Sequence, residues 1–504
     1  MVSNWGAFAF AAVVSFMLSP FIVHQLGDTA YGTWALVGAI TGYLGLLDLG
    51  VRGAVTRYVA QMHAGSRHED ASRITSAALN LFGIGGMFAV AIAILLAIFA
   101  VDFFKIPEEL VGATRIVLVV GGFTIGISLI SGAFGGVLTA LQRFDVSSGI
   151  DVLVEALRAA SVVVVLRSGG GIVGLSAVQL GATSLRAMIQ LGAARGIYPE
   201  LRIRLREWDS GELRQIFSFS VYSIFLHIAG MVTMGASTIV IGAVLPVAMI
   251  TGFAIAGSLI SYVRTFGSGI GQTLTPQASA LEATGGQDAV RALPAIAARI
   301  TSLVLLPMIV TLLVRGGTFI GLWMGPDYIA TAGPVMVVMA IALWIVAPRH
   351  AFTPILMGIG RHRVLVLPYF GEAVVTVTLS MLLIGPMGVV GAAWAGTIPA
   401  AILTLLIMPW LLKRVLYVPV MDLYLNAWIR PAIALLPFLA VTYLTEVAWQ
   451  VDSLMMFFVQ VAACLPVAAV GIWFVGLSAS ERARYGWPVV ERLRGRFGML
   501  GRPA

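Results

Sequence analysis

A lone arginine near the middle of a long apolar segment is the residue of this chain best suited to hold an anion. Arg264 stands in the stretch SLISYVRTFGSG, with no acidic residue beside it in the sequence. A charged side chain so deep in an apolar helix is unfavourable unless it faces a water-filled space or an anionic ligand. A guanidinium donates two parallel hydrogen bonds to phosphate oxygens, so a diphosphate suits it well. We therefore predict that Arg264 binds substrate.

Two adjacent cationic side chains, Arg349 and His350, lie between Pro348 and Pro354 in another apolar segment. Each proline interrupts helical hydrogen bonding and frees carbonyl groups that a packed or wet interior must satisfy. The pattern predicts either part of a substrate-binding site or gate, or a kink near the membrane surface. Glu372, early in the following segment, leaves three alternatives open: it pairs with Arg349, binds a coupling cation, or carries a proton.

A third group of charges combines a carboxylate and a guanidinium one helical turn apart. Asp48 lies within an apolar segment, and Arg52 follows four residues later on the same helical face. Two interpretations stay open: a local ion pair, or a functional pair in which Asp48 serves coupling or gating and Arg52 binds substrate. His227, in a further apolar segment, is a candidate proton carrier or a polar side chain packed between helices.

Other charges within apolar segments receive structural interpretations. Arg158 follows Glu155 by three residues, a spacing that favours an ion pair on one helix. Arg186, Arg315 and Arg430 stand within reach of a segment end, so we expect them to extend their side chains towards the membrane surface.

These side chains must be positioned by membrane-spanning helices. Hydrophobic residues make up 59% of the 504 residues and charged residues 11%, a composition typical of integral membrane proteins. We predict an all-α fold with about fourteen transmembrane helices, because a helix needs roughly 20 residues to cross the hydrocarbon core. The predicted spans are 5–24, 33–55, 74–100, 111–139, 149–167, 172–192, 215–243, 247–275, 298–321, 334–357, 364–384, 387–412, 428–448 and 454–476.

The basic residues indicate the orientation of these helices. The net charge is +8, and the basic residues outside the spans fall mainly in every second loop and in the C-terminal tail. Loops rich in Arg and Lys stay in the cytoplasm, so both termini are predicted to be cytoplasmic. Membrane orientation explains the positive charge better than nucleic-acid binding does.

The loops also suggest a domain organisation. We predict an N-terminal six-helix lobe over 1–192, a cytoplasmic linker over 193–214 and a second six-helix lobe over 215–412. Two additional helices over 413–476 and a basic cytoplasmic tail over 477–504 complete the chain. A shift of 218 residues aligns the loop residues 70–73 with 288–291. The two lobes are therefore interpreted as parallel repeats related by an axis along the membrane normal.

Segment 26–60 carries a motif of glycine, aromatic and charged residues. Its members are Leu26-Gly27, Tyr31-Gly32, Trp34, Leu46-Leu47-Asp48-Leu49-Gly50 and Arg57-Tyr58. The segment resembles the polysaccharide-flippase (Wzx-like) branch of the multidrug/oligosaccharidyl-lipid/polysaccharide (MOP) exporter superfamily. Hydropathy and the number of spans extend the resemblance over the whole chain, although the second half has no motif of comparable specificity.

The resemblance implies two six-helix lobes around a central cavity, alternating access and a lipid-linked sugar as substrate. The leading hypothesis is a secondary transporter that flips an undecaprenyl-diphosphate-linked oligosaccharide from the cytoplasmic to the outer leaflet of a bacterial inner membrane. Its diphosphate would meet the cationic residues Arg264, Arg52, Arg349 and His350. Membrane lipids, a glycan polymerase and a chain-length regulator are the partners implied, and a monomer is expected.

Several other classes are disfavoured by motifs that the sequence lacks. It has no phosphate-binding P-loop, no cluster with metal-ligand spacing, no Gly-x-Ser-x-Gly motif and a single cysteine, Cys464. We expect no cofactor, no metal and no enzymatic activity. Three alternatives remain: a cation-coupled multidrug exporter of the same superfamily, a membrane-embedded glycan ligase or polymerase, and a non-transporting scaffold.

Overall fold

The computed structural model describes residues 2–204, 210–479, 481 and 482. This part of the chain is helical nearly throughout and contains no strand, which confirms the predicted all-α class. Its α-helices are α1 (Val2–Leu44), α2 (Val51–Ala64), α3 (His68–Phe99), α4 (Glu108–Ala140), α5 (Phe144–Arg167), α6 (Gly171–Ile197), α7 (Ser210–Val244), α8 (Met249–Ala283), α9 (Gln287–Met324), α10 (Ile329–Val346), α11 (Arg349–Gly358), α12 (Val366–Ile402), α13 (Met408–Leu416), α14 (Val420–Tyr424), α15 (Arg430–Ala448) and α16 (Leu454–Gly471).

Two of these helices, α1 and α12, contain an internal break at a glycine. Gly27 has a φ of 73° and Gly388 a φ of 59°, a left-handed region that residues with a Cβ rarely adopt. Both glycines lie at the turns that the sequence predicted between adjacent spans. α1 and α12 therefore each contain two helical stretches.

The predicted span 33–55 contains a break in its second half. After α1, Gly45–Asp48 form a single 3₁₀ turn, and Leu49 and Gly50 follow with φ values of 49° and 72°. The helical hydrogen bonding is thus broken at Asp48 and resumes only at Val51. The apolar character of the segment concealed this break, because hydropathy does not report backbone conformation.

Eleven stretches of the described residues are long and apolar enough to cross a membrane. Two of them, Gly6–Ala64 and His362–Leu416, have 59 and 55 residues, more than twice the roughly 20 residues of one crossing. The more polar α5, with 24 residues, is not among the eleven. These lengths are compatible with fourteen crossings, and that number stays a prediction.

Two compact units make up the chain, and each combines two stretches of sequence. The first contains Met1–Ile255 and Leu365–Pro399, and the second contains Ala256–Val364 and Ala400–Ala504. The predicted lobes, linker, additional helices and tail stay a prediction of domain organisation. Residues 205–209 of the predicted linker, and residues 480 and 483–504 of the predicted tail, lie outside the described residues.

In the first unit, α2, α3 and α4 pack around a common hydrophobic core. Val55, Phe82 and Val137 are completely buried in it. Gly86 of α3 faces Gly126 of α4 so closely that a Cβ on Gly86 would lie 3.1 Å from the Gly126 Cα. Small residues therefore allow these helices to approach each other, as is common between membrane helices.

Gly32 of the N-terminal motif has a structural explanation in the same unit. A Cβ at Gly32 would overlap the carbonyl group of Val247, at the turn between α7 and α8. The Thr251 hydroxyl donates a hydrogen bond of 2.7 Å to the Asp28 carbonyl beside it. Only glycine allows the backbone of α1 to lie this close to that turn.

In the second unit, α9 packs against α15 and α16. Leu306 and Val310 of α9 share a buried core with Phe438 of α15 and Cys464 of α16. This packing joins α15 and α16 to α9, which ends more than one hundred residues before α15 begins.

Arg315 of α9 lies in this packing, and the predicted extension of its side chain towards the membrane surface is wrong. Its side chain is completely buried. The Nε donates to Glu446 Oε2 of α15 at 2.7 Å, and Nη2 donates to Gln460 Oε1 of α16 at 2.6 Å. The guanidinium carbon also lies 4.7 Å from the centre of the Phe457 ring. Arg315 turns inward because neighbouring helices supply a countercharge and hydrogen-bond acceptors.

A second buried arginine, Arg299, lies near the other end of α9. Its Nη1 donates to Asn426 Oδ1 at 2.8 Å, and its Nη2 donates to the Glu481 carboxylate. Glu481 in turn accepts hydrogen bonds from the backbone and the hydroxyl of Ser478. Nearby, Arg430 donates to the carbonyl groups of Val475 and Leu477. Charged contacts therefore tie α9 to the C-terminal helices near both of its ends.

Candidate functional site

A stripe of small and hydroxyl residues on α8 packs against α11 in the second unit. A Cβ on Gly271 would lie 2.6 Å from the His350 carbonyl oxygen and 2.9 Å from Pro354 Cγ. The Thr275 hydroxyl donates to the Pro354 carbonyl at 3.3 Å, and the Ser279 hydroxyl donates to the Gly358 carbonyl at 2.6 Å. The predicted helix break is present at Pro348, between α10 and α11, whereas Pro354 lies inside α11. The carbonyl that Pro354 leaves without its helical donor is that of His350, and the α8 backbone covers it.

This packing brings together three of the predicted substrate-binding residues. The Gly267 position of α8, where a Cβ would lie 3.0 Å from His350 Cδ2, is one helical turn after Arg264. His350 lies within electrostatic reach of both the Arg264 and the Arg349 guanidinium groups. Arg264 and Arg349 are half-buried. The second unit therefore concentrates the cationic groups of α8 and α11 in one place.

His350 contributes a polar atom that this unit leaves available. Its Nε2 is buried and has no hydrogen-bond partner among the described residues. A buried polar nitrogen without a partner is unfavourable, and structures that retain one often use it for a ligand or a reaction. The combination of two guanidinium groups and an imidazole suits an anionic oxygen-rich ligand.

The predicted Asp48–Arg52 ion pair is present in the first unit. Asp48 Oδ2 lies 3.8 Å from Arg52 Nε, and Asp48 Oδ1 accepts a hydrogen bond of 3.3 Å from the Arg52 backbone N–H. Because Asp48 precedes α2, its carboxylate lies at the positive end of that helix, where a negative charge is favourable. The Arg52 side chain is 53% exposed, so the pair leaves much of its guanidinium accessible.

The remaining predicted coupling residues also lie in the first unit. Glu372 of α12 is buried, and the Thr376 hydroxyl donates to the Glu372 backbone carbonyl at 2.8 Å. Farther along α12, the buried Ser380 hydroxyl lies 3.2 Å from that of Ser237 on α7. His227 of α7 is exposed. This exposure does not fit the interpretation of His227 as a side chain packed between helices.

The charged contact between α5 and α6 was missed by the sequence analysis. Arg186 Nη2 of α6 lies 3.5 Å from Asp151 Oδ1 of α5, whereas the sequence predicted only a side chain directed to the membrane surface. The predicted i,i+3 pair on α5 is present, with Arg158 Nη2 2.5 Å from Glu155 Oε1. Asp151 and Arg186 stand 35 positions apart, so no helical spacing rule could predict their contact. The one signal in the sequence was the presence of an acidic residue, Asp151, inside a predicted span.

Groups of three or more potential metal-ligating side chains are not found in the part of the chain that the structure describes. The charged residues of the candidate site are instead dominated by arginine. Arginine is always protonated and donates hydrogen bonds without accepting any, so the site is built to hold anionic oxygens.

Comparison with known proteins places the chain in a family. Residues 2–312 match the family described as polysaccharide biosynthesis protein. The chain belongs to this family. Membership confirms the resemblance that segment 26–60 indicated, and it agrees with a membrane transporter rather than an enzyme.

Two curated relatives cover most of the chain at low identity. "Putative O-antigen transporter" of Shigella flexneri is 20% identical over 422 residues, which cover 82% of this chain and 97% of that protein. "Uncharacterized membrane protein EpsK" of Bacillus subtilis (strain 168) is 18% identical over 425 residues, 82% of each chain.

Solved structures show the same fold. The lipid II flippase MurJ in an inward closed conformation has a TM-score of 0.68 at 11% identity and covers 93% of this chain and 97% of its own. An inward-facing multidrug resistance MATE transporter of the MOP superfamily has a TM-score of 0.64 at 14% identity, covering 80% of this chain and 96% of its own. The fold is that of MOP superfamily transporters.

Proposed function

We propose that this protein is a flippase that moves an undecaprenyl-diphosphate-linked oligosaccharide from the cytoplasmic to the outer leaflet by alternating access. The observation that carries the proposal is the convergence of Arg264 with Arg349 and His350, whose Nε2 has no hydrogen-bond partner among the described residues. A diphosphate is the part of such a lipid that these groups would hold. Family membership and a relative named as an O-antigen transporter support the sugar-lipid class.

The roles of the site residues follow from their surroundings. Arg264 would contact the diphosphate with its planar guanidinium, Arg349 would contribute further positive charge, and His350 would contribute a hydrogen-bonding nitrogen. Arg52, in the first unit, is a further proposed substrate-binding residue, with Asp48 holding its guanidinium. Glu372 and His227 are proposed to couple transport to a cation or a proton. Both termini would lie in the cytoplasm of a bacterial cell, and the expected partners are membrane lipids, a glycan polymerase and a chain-length regulator.

A multidrug exporter is the second candidate, since a MATE transporter shares the fold. A site for cationic drugs needs accessible acidic groups. Here the half-buried side chains that converge in the second unit are arginines, whereas Asp48 is engaged with Arg52. The charge of the site therefore favours an anionic substrate.

The test is lipid flipping in proteoliposomes that contain an undecaprenyl-diphosphate-linked oligosaccharide. We expect the wild-type protein to flip it, Arg264→Ala to flip it about tenfold more slowly, and Arg264→Lys to keep part of the rate. The magnitude is that of one charge-assisted hydrogen bond. The matched control is Arg291→Ala, which removes an equal charge from an exposed i,i+3 pair with Asp288 and should leave the rate unchanged.

Four results would contradict the proposal. Equal rates for all Arg264 variants would remove this residue from the site. Efflux of a cationic dye without movement of any lipid-linked glycan would favour the drug exporter. Formation of a glycosidic bond in the same vesicles would indicate a membrane-embedded enzyme, and no movement of any substrate would favour a scaffold.

A further inference from the structure

The contact between Arg186 and Asp151 belongs to a larger arrangement of charges in the first unit. Both side chains are about two-fifths exposed, at 40% for Arg186 and 44% for Asp151. Arg186 lies 15 residues after the start of α6 and 11 before its end, so it stands roughly 16 Å from the nearer helix end. Charged side chains within such an apolar, membrane-spanning segment rarely face lipid, because the hydrocarbon core does not solvate them.

Helix α4 brings Arg52 to the same place. A Cβ on Gly132 of α4 would lie 2.7 Å from Arg52 Nη2, so the guanidinium rests on that glycine. The neighbouring Ser131 hydroxyl donates a buried hydrogen bond of 2.6 Å to Gln190 Oε1 of α6. Gln190 follows Arg186 by one helical turn. α2, which carries Arg52, and α6, which carries Arg186, therefore contact the adjacent α4 residues Gly132 and Ser131.

The charges of this cluster are linked through Asp151. Its carboxylate lies within electrostatic reach of both the Arg186 and the Arg52 guanidinium groups. Asp48 and Arg52 form the neighbouring pair. Two acids and two arginines thus balance each other when no other anion is present.

The Arg186–Asp151 contact is loose compared with a second ion pair on α5. Arg158 makes two hydrogen bonds with Glu155, at 2.9 and 2.5 Å, and its side chain is 24% exposed. Arg186 approaches Asp151 with one nitrogen at 3.5 Å. A guanidinium has five N–H donors, and an accessible one held by a single long contact is available to another anion.

We propose that Arg186 and Arg52 form a second phosphate-binding element and that Asp151 is an exchangeable counterion for Arg186. In the unliganded protein the Asp151 carboxylate holds Arg186 in place. When the substrate arrives, its diphosphate oxygens replace the carboxylate as acceptors. This inference rests on the proposed function, because it assigns a further contact to the same class of ligand.

The exchange requires that Asp151 and the ligand compete for one guanidinium. Removing the Asp151 charge therefore strengthens ligand binding, whereas removing the Arg186 charge weakens it. A purely structural ion pair behaves differently, because loss of either partner damages the protein in the same direction.

The experiment measures binding of undecaprenyl diphosphate to the purified full-length protein, together with flipping of the oligosaccharide-linked form in proteoliposomes. We expect Arg186→Ala to weaken binding about tenfold, as for the loss of one charge-assisted hydrogen bond. Asp151→Asn should tighten binding severalfold and slow release. Undecaprenyl monophosphate should distinguish the variants less, because it offers fewer oxygens to two arginines.

Arg158→Ala is the matched control, since it removes a better-formed ion pair from the same helix. It should leave binding unchanged. The inference is overturned if Arg186→Ala binds like the wild type or like Arg158→Ala, or if Asp151→Asn weakens binding as Arg186→Ala does. If the wild type flips the glycolipid and Arg264→Ala impairs flipping, these results overturn only the role of Arg186. If the wild type flips no glycolipid, the proposed function itself fails.

Discussion

Arg315 of α9 and Glu446 of α15 form a buried ion pair, with Arg315 Nε 2.7 Å from Glu446 Oε2. The two residues are 131 positions apart, and the pair joins the C-terminal helices to the helix at the centre of their packing. Gln460 and the Phe457 ring complete the surroundings of the guanidinium.

Breaking this pair from one side should destabilise the protein strongly. Arg315→Leu leaves the Glu446 carboxylate without its countercharge, and we expect a loss of about 3 kcal/mol in the free energy of unfolding. Thermal unfolding in detergent measures this change. The double variant Arg315→Leu/Glu446→Leu should recover part of the loss, since it removes both charges. Arg115→Ala, which breaks an exposed pair with Asp102, should have an effect below about 1 kcal/mol. Similar unfolding temperatures for Arg315→Leu and Arg115→Ala would contradict this prediction.

The contact between Arg299 and Glu481 should make stability depend on pH at acidic values. Burial by itself raises the pKa of the Glu481 carboxyl, but hydrogen bonds from Ser478 and the nearby Arg299 guanidinium together hold it below its ordinary value. A lowered pKa in the folded state means that the ionised carboxylate contributes stability above the ordinary value near 4.5. That contribution disappears as the pH falls through the folded-state pKa.

Glu481→Gln should remove this part of the pH dependence. We expect the wild-type unfolding temperature to fall more than that of the variant when the pH is lowered from 7 to well below the ordinary pKa near 4.5. Asp288→Asn, at a fully exposed carboxylate, should keep the wild-type dependence. If the unfolding temperatures of the wild type and Glu481→Gln change with pH in parallel, Glu481 contributes nothing to the pH dependence of stability.

Gly271 should be intolerant of even a methyl group. The added Cβ would lie 2.6 Å from the His350 carbonyl oxygen, so Gly271→Ala must move α8 away from α11 and displace His350 from Arg264. Such overpacking costs about 1–3 kcal/mol, and glycolipid flipping should fall with it. Gly257→Ala is the control on the same helix, because its Cβ would meet nothing within 4 Å. If Gly271→Ala flips the glycolipid at the rate of Gly257→Ala, the close packing of α8 against α11 is not required for the function of the site.

Asp48 and Arg52 should act as a coupled pair in transport. Flipping rates of Asp48→Asn, Arg52→Gln and the double variant form a thermodynamic cycle. We expect a coupling energy of about 0.5–1 kcal/mol, at the lower end of the range for residues in contact, because both side chains are partly exposed. Coupling in thermal stability without coupling in the flipping rates would assign the pair a structural role only.

Local relationships in this protein were decided by the sequence alone. The Glu155–Arg158 pair forms because residues three positions apart lie on one face of a helix. Asp48 and Arg52 are close enough in the sequence to pair across the break that precedes α2. The breaks at Gly27 and at Pro348 follow from the backbone preferences of those residues. The abundance of apolar segments determined the all-α membrane fold, since only helices satisfy their own backbone groups over such lengths.

Long-range relationships were decided by the tertiary structure. Arg315, Arg299 and Arg186 all occur in apolar segments and look alike in the sequence, yet Arg315 and Arg299 are buried while Arg186 stays accessible. Which acid each arginine meets depends on the rotation and packing of helices that are far apart in the chain, and hydropathy carries no information about either. The meeting of Arg264 with His350 likewise depends on Gly267 and Gly271, whose small size allows α8 and α11 to come into contact.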